Sequence, residues 1–127
     1  MIARKQPQAL ILSNELSFET LIVEMMSEIN WGCEIVTSGR DALTRLKTMP
    51  FDAVITDYKL AELPQGNGLH FISILRRENI TLPAIVMSEN EAVLRTVPKD
   101  QLNIAAILLK PFSVSDLRSA LDAVCVA

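Results

Sequence analysis

Five short apolar runs recur along this chain, at residues 9–12, 33–36, 53–56, 84–87 and 105–109, and nothing else in the sequence restricts the fold so much. Each is too short for a stable helix. Apart from Glu34 and Thr56 they are continuous apolar runs rather than alternately apolar and polar, so they read as strands covered on both faces. The stretches between them carry helical spacing. Over 17–30, Phe18, Leu21, Ile22, Met25, Met26 and Ile29 fall on one face, and Trp31-Gly32 is expected to end that helix, because glycine suits the position after a helix terminus. Ser38 and Asp41 have capping-box spacing and open a second helix through Thr48, with Ala42, Leu43 and Leu46 inward and Pro50 stopping it. Residues 58–66, with Pro64 and Gly66, read as a loop, and a third helix over 67–78 would bury Leu69, Ile72 and Leu75. Residues 89–103 read as a less regular helix, interrupted near Pro98. Ser113 and Asp116 repeat the capping-box spacing ahead of a last helix that runs to Val124. Five strands alternating with five helices predict an α/β chain: a doubly wound five-stranded parallel sheet in one domain over residues 1–127.

Composition removes several alternatives. Half of the residues are hydrophobic and 21% are charged, which excludes a disordered chain. The net charge of −3 and the scattered basic residues give no basic face, so nucleic-acid binding by this domain is not expected. The apolar runs are far shorter than the roughly 20 residues a membrane helix needs. The first residues lack a secretory signal, so no membrane association and a cytoplasmic location are the expectation. Cys33 and Cys125 are far apart and without metal-ligand spacing, and read as reduced, packed thiols. His70 is the single histidine, and no Gly-x-Ser-x-Gly elbow accompanies it.

In a doubly wound sheet, ligands bind outside the carboxyl ends of the strands. Those ends carry Ser13-Asn14-Glu15, Asp57, Ser88 and Lys110. An aspartate at a strand end can attack phosphorus. A fixed ammonium would neutralise a phosphoryl group, and a serine hydroxyl could donate to its oxygens. The Lys110-Pro111 bond can be cis at modest cost. Each residue alone has a plainer reading, as a turn residue, a cap or a solvated charge. Their joint placement at adjacent strand ends carries the functional one.

The chain resembles the receiver domain of two-component response regulators over nearly its whole length. The residues that carry the resemblance are Ala53-Val54-Ile55-Thr56-Asp57, Pro83-Ala84-Ile85-Val86-Met87-Ser88 and Leu108-Leu109-Lys110-Pro111-Phe112, together with Gly39-Arg40-Asp41-Ala42-Leu43. The resemblance implies a flavodoxin-like (βα)5 receiver fold with strand order 2-1-3-4-5. It implies Asp57 as acceptor of a phosphoryl group from a histidine kinase or phosphotransfer protein, with Ser88 and Lys110 contacting the phosphoryl oxygens. By the same analogy, the fourth and fifth helices, with Arg95, Lys99 and Arg118, form a regulatory or homodimer face.

The sequence departs from that pattern at the metal site. The family usually places two adjacent acids after the first strand to hold Mg²⁺; here those positions are Ser13 and Asn14, with Glu15 next. Asn14, Glu15, Asp57 and the backbone carbonyl of Lys59 are the donors left, and Mg²⁺ binding is expected to be weak or absent. Glu89 replaces a small residue beside Ser88, Ile107 stands where an aromatic residue commonly moves, and the loop after Asp57 is longer than usual. Two functions follow from the resemblance: a phosphoacceptor receiver of a two-component phosphorelay, or a degenerate receiver that binds partners without phosphorylation. A nucleotide binder or small enzyme of flavodoxin-like fold is a third, disfavoured because residues 13–17 hold no glycine for a phosphate cradle. The chain is not expected to be an enzyme.

Overall fold

The computed structural model describes residues 6–60 and 68–125. Strands β1 (Gln8–Leu12), β2 (Gly32–Val36), β3 (Ala53–Asp57), β4 (Ala84–Ser88) and β5 (Ile104–Leu109) form one sheet. Every pairing is parallel and the order is β2-β1-β3-β4-β5, as expected. Helices α1 (Leu16–Glu28), α2 (Gly39–Thr48), α3 (Gly68–Arg77) and α6 (Val114–Cys125) are full-length. Between β4 and β5 the chain forms two single turns, α4 (Glu91–Leu94) and α5 (Lys99–Leu102), so six helical segments stand among the described residues where five were expected. Proline lacks the amide hydrogen that a helix interior needs, and Pro98 falls at the break.

The alternation of side chains along each strand divides the interior into two cores. Ala9, Ile11, Ala53, Ile55, Ile85 and Met87 face α1 and α6, where Ile22, Met26, Leu117 and Leu121 close over them. Leu10, Leu12, Val54, Ala84 and Val86 face the other way, toward Ala42 of α2, Phe71, Ile72 and Leu75 of α3 and Leu94 of α4. The central strands β1, β3 and β4 are buried on both faces, which is why they read as apolar runs, whereas the edge strand β2 is half-buried along its length.

Both serines cap their helices as the spacing predicts, and at Ser113 the bonding is reciprocal. Asp41 N–H donates to Ser38 Oγ at 3.0 Å. Asp116 N–H donates to Ser113 Oγ at 3.0 Å, and Ser113 N–H donates back to Asp116 Oδ2 at 3.0 Å. The end of α1 differs from expectation. The left-handed residue there is Asn30 (φ 64°), and no glycine among the described residues has positive φ. Asn79 and Asn103 do the same after α3 and at the end of α5 (φ 64° and 55°). Asparagine tolerates this region because its short amide finds local partners, so it served where glycine was expected. Gly32 instead opens β2, its N–H donating to the Pro7 carbonyl at 2.9 Å.

Candidate functional site

The carboxyl ends of β1, β3, β4 and β5 bring Asn14, Glu15, Asp57, Lys59, Ser88, Glu89, Asn90 and Lys110 around one cavity of about 370 Å³. Asp57 is the last residue of β3 and is 5% exposed. Its backbone is pinned by what packs behind it. Tyr58 N–H donates to the Met87 carbonyl at 2.7 Å, and Gly68 N–H donates to the Tyr58 carbonyl at 2.5 Å. Gly68 approaches so closely that a Cβ there would collide with the Asp57 carbonyl. The first turn of α3 is thereby seated on the strand end that carries the carboxylate.

Lys110 follows β5, and its bond to Pro111 is cis. Its N–H donates to the Ser88 carbonyl at 2.8 Å, tying the ends of β4 and β5 together. Its ammonium stands 2.6 Å from Asp57 Oδ1 and donates to Glu15 Oε1 at 2.7 Å. The contact with Asp57 is an ion pair rather than a well-directed hydrogen bond. Asp57 Oδ1 is fully buried and, among the described residues, the one such side-chain oxygen or nitrogen without a hydrogen-bond partner. Burial alone would lower the Lys110 pKa, but the two carboxylates outweigh it and hold the ammonium above its ordinary value. The Phe18 ring lies under the same ammonium, 4.5 Å from its centroid, and meets Phe112 edge-on at 5.8 Å.

The other expected residues are placed as follows. Ser88 Oγ accepts from Asn90 N–H at 3.0 Å, and Asn90 Oδ1 in turn accepts from Val93 N–H at 3.2 Å, capping α4. Ser13 is buried, and its hydroxyl accepts from Glu15 N–H at 3.3 Å, which fixes the approach to α1. Asn14 donates its side-chain amide to the Thr37 carbonyl at 2.6 Å. Lys59 and Glu89 are exposed at the cavity rim. The part of the lengthened loop that carries Pro64, Gly66 and Asn67 lies outside the described residues, as does the side chain of Cys125. Sequence reasoning placed Phe18 in the helix core and missed its contact with Lys110. Its spacing of three from Glu15, on the same face of α1, was the available signal.

These donors do not fit a divalent metal. Mg²⁺ needs oxygen ligands at about 2.0–2.1 Å and draws affinity from their charge. Ser13 and Asn14 offer neutral oxygens only. The carboxylates of Glu15 and Asp57 converge on an ammonium instead. No group of three or more His, Cys, Asp or Glu residues suited to a metal occurs among the described residues.

A five-stranded parallel sheet in this order, with an acid, a hydroxyl and an ammonium at neighbouring strand ends, defines the receiver module of two-component signalling. The chain belongs to the response regulator receiver domain family, whose model matches residues 9–122. Among solved structures it is similar to the chemotaxis response regulator CheY4 of Vibrio cholerae, with 19% identity, a TM-score of 0.80 and coverage of 94% of this chain and 99% of that one. A sensor protein from Polaromonas sp. JS666 is similar at 24% identity, with a TM-score of 0.83 and coverage of 96% and 98%. Among curated proteins, the transcriptional regulatory protein BasR of Escherichia coli (strain K12) is 25% identical over 114 residues, covering 90% of this chain and 50% of BasR. The chain thus spans half or less of the curated relatives it matches. No helix among the described residues is long and apolar enough to cross a membrane.

Proposed function

We propose that Asp57 accepts a phosphoryl group from a histidine kinase or phosphotransfer protein, and that the modified domain changes its affinity for a partner. One observation carries the reading: a buried carboxylate whose oxygen lies 2.6 Å from a nearly buried ammonium, in the wall of a cavity of about 370 Å³. In the step, a carboxylate oxygen of Asp57 forms a bond to phosphorus. The bond from phosphorus to the donor nitrogen breaks, and that nitrogen keeps the electron pair and takes up a proton. Lys110 neutralises charge on the phosphoryl oxygens, and Ser88 supplies a hydroxyl to them. Members of the family generally hold Mg²⁺ at an acidic site; the donors here do not suit it, because Glu15 and Asp57 face the Lys110 ammonium. The domain acts as a signalling module rather than as an enzyme on other substrates.

The second reading is a degenerate receiver that binds partners unphosphorylated. Its support is the pair of neutral residues, Ser13 and Asn14, and the exposed Glu89 carboxylate at the cavity rim, which would repel an incoming phosphoryl donor. Incubation with a small phosphodonor such as acetyl phosphate, followed by intact-mass measurement, separates the two. A single labile phosphoryl adduct that disappears in Asp57→Asn supports the first. Absence of any adduct in the wild type rejects it and leaves the second. Trp31 is unsuited as a fluorescent reporter, because it precedes β2 at the opposite end of the sheet.

A further inference from the structure

We propose that the Lys110 ammonium, held by Glu15, occupies the cation position of this pocket, so that the pocket works without a divalent metal. The inference rests on the geometry of the pocket and stands whether or not Asp57 accepts phosphate. Nζ of Lys110 is 2.6 Å from Asp57 Oδ1 and 2.7 Å from Glu15 Oε1. A metal ion bridging those two oxygens would have to take the same place. The side chain is only 9% exposed, and three features hold it: Glu15 on one side, Asp57 on the other and the Phe18 ring at 4.5 Å. An ammonium so held does not swing aside without leaving two carboxylates unneutralised.

The surroundings agree. Ser13, where the family pattern expects an acid, is buried as a neutral hydroxyl and spends that hydroxyl on the Glu15 amide. Glu15 thereby enters α1 with its carboxylate on Lys110. Asn14 ties its amide to Thr37. Lys59 adds a second cation to the wall of the cavity. A divalent ion would meet the ammonium groups of Lys110 and Lys59 in the same cavity, and the Glu15 and Asp57 carboxylates are already turned to Lys110, with Glu89 at the rim. Glu15 is a positioning residue on this account: it acts through Lys110.

The test titrates Mn²⁺, read by electron paramagnetic resonance of the free ion, and Mg²⁺, read by calorimetry. The proteins are the wild type, Asp57→Asn, Lys110→Met and the Lys110→Met/Asp57→Asn double variant. The wild type should show no saturable uptake that depends on Asp57. Lys110→Met, with circular dichroism confirming its fold, should gain uptake at least about tenfold tighter, because the repelling charge at contact distance is gone. The added Asp57→Asn change should remove that gain. Saturable uptake by the wild type that Asp57→Asn abolishes overturns the proposal, and so does a folded Lys110→Met that gains nothing. Should Lys110→Met fail to fold, the wild type against Asp57→Asn decides alone: no Asp57-dependent uptake supports it, and such uptake refutes it. Phosphorylation is never read in these titrations, so its failure is scored separately.

Discussion

The Lys110 ammonium should matter more to stability than its two ion pairs suggest on paper, and unequally between them. Side-chain exposure is 9% for Lys110 and 7% for Asp57, against 46% for Glu15. An exposed pair contributes about 0–1 kcal/mol, since water and salt screen it. Removing one partner of a buried pair costs about 3–5 kcal/mol, because the other charge stays buried without compensation. Glu15→Gln should therefore cost under about 1 kcal/mol. Lys110→Met should cost about 3 kcal/mol, which at this length lowers the melting temperature by roughly 10 °C. Adding Asp57→Asn to Lys110→Met removes the stranded charge and should recover about half of the loss. Urea denaturation of the four proteins at neutral pH, followed by circular dichroism, measures each step. A loss below about 1 kcal/mol for Lys110→Met, or a double variant no more stable than the single, would refute the burial argument.

Three further outcomes are expected. Gly68→Ala should destabilise the domain by about 1–3 kcal/mol in chemical denaturation, because the new methyl meets the Asp57 carbonyl and must displace either α3 or the strand end. Arg76 donates to the carbonyls of Leu102, Ile80 and Asn103 at 2.8, 2.8 and 3.1 Å, so Arg76→Met should cost about 2 kcal/mol and raise amide exchange across α5 first. Burial raises the Cys33 thiol pKa above its ordinary value of 9.0, so the folded state favours the protonated form. The stability from this group is complete below that ordinary value and is lost as pH rises through the elevated folded one. In a Cys125→Ser background, thiolate absorbance should therefore appear at higher pH in the native protein than in urea.

The sheet was legible because its central strands are buried on both faces, which leaves a run such as Ala53-Val54-Ile55 without polar alternation. The caps at Ser38 and Ser113 were legible because a hydroxyl and an acid three residues apart act locally. The end of α1 was misassigned, since Asn30 and Gly32 are both able to terminate a helix and only the backbone distinguishes them. At the site, strand-end position brought Asp57, Ser88 and Lys110 to one cavity. The contact of Glu15 with Lys110 spans most of the chain, and a pairing of that range leaves no periodic trace. Phe18 occupies an ordinary core position of the helical pattern, and its spacing of three from Glu15 was the single hint that its ring lies beneath a cation.

The two single turns between β4 and β5 give the domain an uneven stiffness. A helix of one turn has almost no cooperativity of its own and depends on what holds its ends. Here the first of them is held by Asn90, whose amide hydrogen rests on the Ser88 hydroxyl, while the Ser88 carbonyl takes the amide hydrogen of Lys110. A short turn with little cooperativity of its own is therefore coupled through two residues to the pocket's own wall. Any event that draws the serine hydroxyl toward the pocket must release the Asn90 amide and loosen that turn.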